Sequence, residues 1–391
     1  MISVMTFIGK VSGLKAASLH AQYLEEYTLM AGHLKRLYVV TDTVEEKTDA
    51  NVYNLRIIKL PSIKIPKIYG FTKIILYILA SALLSKNYDL LYVRTFSPPE
   101  LMALWFCARI LKKPTALVLP GTWLFGRPDE VPTGKVRVFR LILKLAMYSA
   151  SRIILYSWRM LPEAVKYAPS LDVHRITVVR NAVNIERFRK GLDRSEAVKK
   201  IAGEEPYIYY VGRLNEKKGV LDLVDAYSIV AEKLENCPKL LLFGDGVAEF
   251  IQRLRNKIKQ KKLSDKVIVA GPIPNMEVPS LAANSLFIVY ATREGEGIPR
   301  AIVEAMACGR PAVATEVAGI PDLVRDGETG YLVKPRDVNA LADKILTLII
   351  DQVKREKMGE NARQLVEKEF SYNTVIPKIT TLLEELVDSR R

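Results

Sequence analysis

Short β-rich runs alternate with longer helical patterns along the whole chain, and that alternation leaves few folds open. Strands separated by helices join as parallel neighbours, so the chain reads as α/β, with doubly wound sheets. In the first half the strand patterns are Ile2–Ile8, Arg36–Thr41, Leu90–Val93, Thr115–Leu119, Ile153–Tyr156 and Ile176–Val179. Helix patterns fall at Ala16–Gly32, Phe71–Ser85, Pro99–Leu111, Lys135–Ala150 and Met160–Ala168. The rhythm resumes with strands at Tyr207–Val211, Lys239–Phe243, Val267–Ala270, Leu286–Tyr290, Ala312–Ala314 and Gly330–Val333. Their helices are Val220–Leu234, Val247–Lys261, Glu277–Ala283, Pro299–Cys308, Ile320–Arg325 and Val338–Ile350. With 391 residues, two domains are expected: 1–187 and 204–370, joined by a polar linker at 188–203. In open α/β sheets ligands bind at the carboxyl ends of strands, so chemistry is sought in the loops that follow them.

Charge and composition remove several function classes. Cys107, Cys237 and Cys308 lie far apart without CxxC spacing, and the three histidines form no HExxH, so no disulfide framework or protein-ligated metal is expected. The most apolar uncharged stretch, Ile74 to Ser85, is 12 residues, against about 20 for a spanning helix. Ile2–Ile8 lacks a charged leader and reads as a buried strand. The formal charge is +15, and residues 1–190 hold all of it, with 28 basic and 13 acidic side chains. Such an excess favours an anionic partner.

Two loops in the second half carry the chemistry. Gly212-Arg213-Leu214-Asn215-Glu216-Lys217-Lys218-Gly219 follows a strand and precedes a helix. A glycine there lets the chain turn close to a ligand, while Arg213 and Lys218 reach one anion from two sides, as a diphosphate clamp. The competing reading makes Lys217 and Lys218 solvated and pairs Arg213 with a local acid. The second loop is Glu294-Gly295-Glu296-Gly297-Ile298-Pro299, leading into a helix that contains Glu304. Free N–H groups at a helix start favour anions and hydroxyl oxygens. Glu294 is explained by the helix dipole; Glu304, within Ile302-Val303-Glu304-Ala305-Met306, is an acid in an apolar run and needs a reason. Paired carboxylates suit vicinal hydroxyls of a sugar or ribose.

The Glu-x7-Glu arrangement Glu296…Glu304, followed by Ala305-Met306-Ala307-Cys308-Gly309 and preceded by the Gly212–Gly219 loop, resembles the donor site of retaining glycosyltransferases of family 4, with the GT-B fold. Val179-Arg180-Asn181-Ala182-Val183-Asn184, Gly244-Asp245-Gly246, the run from Asp326 to Val333 and Phe370-Ser371-Tyr372 fit the same pattern in the same order. The resemblance implies two Rossmann-like domains facing across a cleft, with 371–391 forming a C-terminal helix that returns to the first domain. It implies a hexosyltransferase-type, metal-independent enzyme whose nucleotide sugar, a UDP- or GDP-sugar, is a substrate, with no cofactor. Arg213 and Lys218 would hold the departing diphosphate, Glu304 the ribose, and Glu296 with the N–H groups of Gly297 and Ile298 the sugar. Ile273 would lie along the base, and Gly13, in Gly9-Lys10-Val11-Ser12-Gly13, would close on the donor phosphates. A histidine usual in the family after an N-terminal strand is replaced here by Pro120, in Leu119-Pro120-Gly121-Thr122-Trp123.

The acceptor is expected to be a glycan, lipid or small molecule, in polysaccharide or glycolipid synthesis. Arg137, Arg140 and Lys144 share one helical face among Val138, Phe139, Leu141, Ile142 and Leu143, and Lys59, Lys64, Lys67 and Lys73 form a second basic patch. These place a cytoplasmic enzyme peripherally on the inner, anionic membrane face; the competing reading is a helix packed on its own sheet with a solvated basic side. A nucleotide-sugar epimerase of the same fold and a non-catalytic polyanion binder are the alternatives. No nucleic-acid motif accompanies the charge.

Overall fold

The computed structural model describes residues 1–8, 19–44, 54–61, 69–94, 97–122 and 134–390. They divide into two compact units, Met1–Arg180 with Asn373–Arg391, and Asn181–Tyr372. The first unit runs β1 (Ser3–Phe7), α1 (Leu19–Gly32), β2 (Arg36–Thr41), β3 (Leu55–Lys59), α2 (Tyr69–Leu83), β4 (Leu90–Val93), α3 (Pro98–Arg109), β5 (Thr115–Leu119), α4 (Gly134–Ser149), β6 (Arg152–Leu155), α5 (Leu161–Tyr167) and β7 (Ile176–Val178). Its sheet has the order β3-β2-β1-β4-β5-β6-β7, parallel throughout, with Val4 opposite both Leu37 and Leu90. Every residue of β1, β4 and β5 is buried, as expected of parallel strands covered on both faces.

The second unit opens with α6 (Glu196–Ala202) and continues β8 (Tyr207–Val211), α7 (Val220–Lys233), β9 (Lys239–Phe243), α8 (Ala248–Gln260), β10 (Val267–Gly271), α9 (Val278–Ala283) and β11 (Ile288–Tyr290). Then come α10 (Arg300–Ala307), β12 (Ala312–Thr315), α11 (Ile320–Leu323), β13 (Gly330–Val333), α12 (Val338–Ile350) and α13 (Gln352–Glu369); α14 (Tyr372–Asp388) lies almost wholly in the first unit. The sheet order is β10-β9-β8-β11-β12-β13. Strand order reverses between β8 and β11, where loops leave in opposite directions and open a crevice at the carboxyl ends. Both units are Rossmann-like parallel sheets with helices, the pair of domains that defines GT-B.

The units part between Arg180 and Asn181, earlier than the expected 187. Residues 181–187 are held by the second unit: the Val183 N–H donates to the Phe370 carbonyl at 2.9 Å and the Tyr372 N–H to the Val183 carbonyl at 3.1 Å. Residues 188–203 are not a bare linker. They contain α6, whose Val198 and Ala202 are buried, and the Ser195 N–H that starts it donates to Ser280 Oγ at 2.7 Å. Two further elements escaped the pattern. β3 is an edge strand whose side chains are mostly part-exposed, and α13 is so charged that its buried stripe, Met358, Ala362, Leu365 and Val366, is diluted.

The basic helix is real and only partly packed. Leu143, Ala146 and Met147 of α4 are buried, whereas Val138, Leu141 and Leu145 are 57%, 59% and 38% exposed. On α2, Phe71, Ile75, Leu79 and Leu83, spaced by four residues, are 64%, 42%, 50% and 82% exposed. α3 packs against both helices. Of the second basic patch, Lys64 and Lys67 lie outside the described residues, and Lys73 pairs with Asp42 at 2.9 Å. No described helix is long and apolar enough to cross a membrane.

Candidate active site

The loops after β8 and β11 flank the strand-order reversal of the second sheet, and the polar residues singled out in the sequence sit on them. After β8 the chain passes through Gly212 and Arg213 into the 3₁₀ turn Glu216–Lys218, capped by Asn215, whose side chain accepts from the Lys218 N–H at 3.0 Å. Gly219 then adopts φ 63°, and a Cβ there would collide with the Ala291 carbonyl at the end of β11. Only glycine allows the two loops to approach so closely. Gly244, at φ 142°, likewise lies against the Gly212 carbonyl, which lets the Leu214 N–H donate to the Asp245 carbonyl at 2.7 Å.

This approach brings the Lys218 ammonium into an ion pair with the Glu296 carboxylate, their side chains 14% and 12% exposed. Burial pushes Lys218 down to about 8, and the neighbouring Arg213 charge adds to this. Below them Tyr210 and Tyr290 stack at 5.5 Å, and Lys218 lies 5.8 Å from the Tyr290 ring centre. The Arg213 backbone is fixed by the Tyr210 hydroxyl, which donates to its carbonyl at 2.9 Å. Its guanidinium is exposed and has no partner among the described residues. The alternative that Arg213 pairs with a local acid does not occur there.

Glu304 is 5% exposed on α10, in the apolar run that the sequence marked. Gly297 and Ile298 are buried just before that helix. Ile273 is half-buried beyond the carboxyl end of β10, an edge strand. Gly13 lies outside the described residues, as does Trp123. Pro120 follows β5 and is half-buried.

Three side chains that sequence reasoning passed over hold this arrangement. Arg293 makes a bidentate pair with Asp222, at 2.7 and 2.6 Å, and reaches Glu216 at 2.5 Å. The Asp222 hydrogen bonds, with Asp222 and Glu216 charge, hold Arg293 protonated far above its ordinary range. Its N–H also donates to the Lys217 carbonyl at 2.8 Å, so the β11 loop is riveted to the turn that carries Lys218. Asn181 donates from its amide to the Ile298 carbonyl at 2.8 Å, and Arg300 to the Ala182 carbonyl at 3.0 Å. The sequence signal for these was weak: Asn181 stands in a matching motif with no role assigned, and no pattern marks Arg293 in the stretch between β11 and Glu294.

Comparison with known proteins gives the family and the fold. Residues 193–365 match the model for glycosyl transferases group 1. The capsular polysaccharide biosynthesis glycosyltransferase CapM of Staphylococcus aureus is 30% identical over 270 residues, 66% of this chain and 67% of CapM. The N-acetyl-alpha-D-glucosaminyl L-malate synthase of Bacillus anthracis is 29% identical over 200 residues, 51% of each chain. The matches thus span between half and two thirds of these relatives' length. Among solved structures, Anabaena HepE, in complex with UDP and glucose, superposes with a TM-score of 0.78 at 21% identity, over 98% of this chain and 100% of that one. A loop pair built around Gly219, a Lys218–Glu296 contact at the strand reversal and a family match over the same unit converge: the chain belongs to the group 1 glycosyltransferases.

Proposed function

We propose that this chain transfers a sugar from a nucleoside-diphosphate sugar to an acceptor hydroxyl with retention of anomeric configuration. The observation that carries the reading is the meeting of Lys218 with Glu296, beside Arg213, which has no partner among the described residues. Arg213 and Lys218 offset the charge that develops on the departing diphosphate, the role a metal plays elsewhere. Glu304 accepts hydrogen bonds from ribose hydroxyls. Glu296 and the N–H groups of Gly297 and Ile298 hold the sugar, and Ile273 borders the base. The departing phosphate oxygen takes the acceptor proton on the same face, so no separate base is required. A UDP-hexose donor is supported by HepE, solved with UDP-glucose, and polysaccharide synthesis by CapM.

The pH dependence supplies the test. With Lys218 near 8 in the free protein, its protonated form binds diphosphate and is itself stabilised by it. Donor affinity should fall as pH rises through 8. Calorimetry in buffers of different ionisation enthalpy should show roughly half a proton taken up per UDP bound at pH 8 and almost none at pH 6.5. Thermal shifts across UDP-, GDP-, ADP- and dTDP-sugars identify the donor. No shift with any of them would sink the reading, and a donor epimerised without acceptor would replace it with an epimerase.

We also propose that the first unit works against an anionic membrane surface. Phe71, Ile75, Leu79 and Leu83 are exposed on α2, and Val138, Leu141 and Leu145 on α4, where Arg137, Arg140 and Lys144 share the same helix; α3 packs against both helices. Apolar side chains enter the interface while cations meet anionic headgroups. Co-flotation with vesicles containing phosphatidylglycerol should be strong at low salt and fall at least fivefold in the double variant Leu79→Glu/Leu141→Glu. Equal flotation of both proteins would refute it.

A further inference from the structure

At the opposite edge of the first sheet from its carboxyl-end loops, four arginines from four separate elements line one cavity of about 390 Å³. Arg109 closes α3, Arg152 opens β6, Arg175 stands just before β7, and Arg390 follows α14. We propose that this cavity is a binding site for a phosphoryl oxyanion, distinct from the donor site of the second unit.

Helix termini alone do not account for so many cations. Arg175 donates to the Tyr148 and Ala150 carbonyls at 3.1 and 2.8 Å, and Arg109 to Ser149 Oγ at 3.1 Å and the Tyr148 carbonyl at 3.5 Å, which finishes α4. A helix C-terminus offers about half a negative charge, enough for one of them. Arg152 donates one nitrogen to the His174 carbonyl at 3.0 Å, while its buried Nε has no partner among the described residues. Arg390 donates to the Lys112 carbonyl at 3.2 Å and to Ser151 Oγ at 3.1 Å. Among the described residues the single carboxylate paired with any of the four is Asp172, 3.7 Å from Arg175 and half exposed. The cavity therefore keeps an excess of two to three positive charges, by roughly that accounting.

Apart from the Arg175–Asp172 contact, these guanidiniums are held by carbonyl and hydroxyl acceptors, which fix their direction without neutralising them. Planar forks fixed around a small cavity match tetrahedral oxyanions, whose oxygens accept paired N–H bonds. The ligand chemistry is a phosphate group, either free in solution or on a lipid headgroup.

The donor site also takes phosphate, so the test begins with Arg213→Ala/Lys218→Ala protein, in which those two cations are gone. Titration with inorganic phosphate and pyrophosphate, against sodium chloride at matched ionic strength, should give saturable binding and a rise in Tm. Adding Arg152→Gln/Arg390→Gln should weaken that binding at least tenfold, while in otherwise wild-type protein the same pair leaves UDP binding unchanged. Flotation with vesicles of phosphatidic acid in phosphatidylcholine separates the sources. Flotation that drops in the Arg152→Gln/Arg390→Gln protein assigns the lipid headgroup; phosphate binding without such a drop assigns soluble phosphate. Phosphate affinity that matches chloride, or that survives Arg152→Gln/Arg390→Gln, overturns the proposal, and neither result touches the donor-site reading.

Discussion

Lys218→Ala should lower kcat for nucleoside diphosphate release by about 10²–10³-fold, the usual cost of removing one preorganised group that stabilises developing charge. The fold should survive. Lys218 contacts Glu296 by its ammonium alone, and its turn is fixed by the Asn215 cap and by Gly219. Arg213→Ala should cost a similar factor, and the double variant less than the product of the two, because the proposed function has both act on one diphosphate. Lys218→Arg keeps the charge but replaces a compact ammonium with a planar fork against Glu296, so only part of the activity should return. Steady-state release assays beside thermal unfolding settle the matter. A Lys218→Ala protein with more than half of wild-type kcat would remove this residue from the machinery.

The largest stability effect should come from Arg293. Replacing it with alanine leaves the Asp222 carboxylate, mostly buried on α7, without its bidentate partner. Breaking a buried pair from one side costs about 3–5 kcal/mol, and the residual exposure of both groups discounts this to about 2–3 kcal/mol. Unfolding of the second unit should shift down by roughly 5–10 °C. Asp222→Asn in the same chain should recover most of the loss, because the uncompensated charge is then gone. Donor affinity should not recover with it, since the β11 loop still lacks its tie to the Glu216–Lys218 turn. A double-mutant cycle with a coupling energy below about 0.5 kcal/mol would show that Arg293 positions nothing.

Much of the architecture was legible because buried parallel strands are apolar on both faces. β4, β5, β8 and β9 stand out as short apolar runs, and their expected bounds agree with the structure. β3 did not stand out, because Arg56 and Lys59 point to solvent from a sheet edge and break the run. α6 hid in a stretch read as linker: two buried side chains among lysines leave little periodicity. The boundary between units was misplaced for a related reason. Residues 181–187 belong to the second unit through backbone bonds to Phe370 and Tyr372, and a backbone bond leaves no trace in side-chain pattern.

The site divides in the same way. Arg213, Lys218, Glu296 and Glu304 could be picked out from the sequence, because a cation pair between glycines and an acid in an apolar helix each demand a chemical reason. Local order along the chain was enough to place each on its loop or helix. That Lys218 should touch Glu296, that Arg293 should clamp Asp222, and that Asn181 should hold Ile298 were decided by tertiary structure alone. Those pairings join residues far apart in the chain, and their partners are chosen by which loops the strand reversal between β8 and β11 sets side by side. Sequence pattern reports what each residue prefers as surroundings; only the folded sheet determines which neighbours supply them.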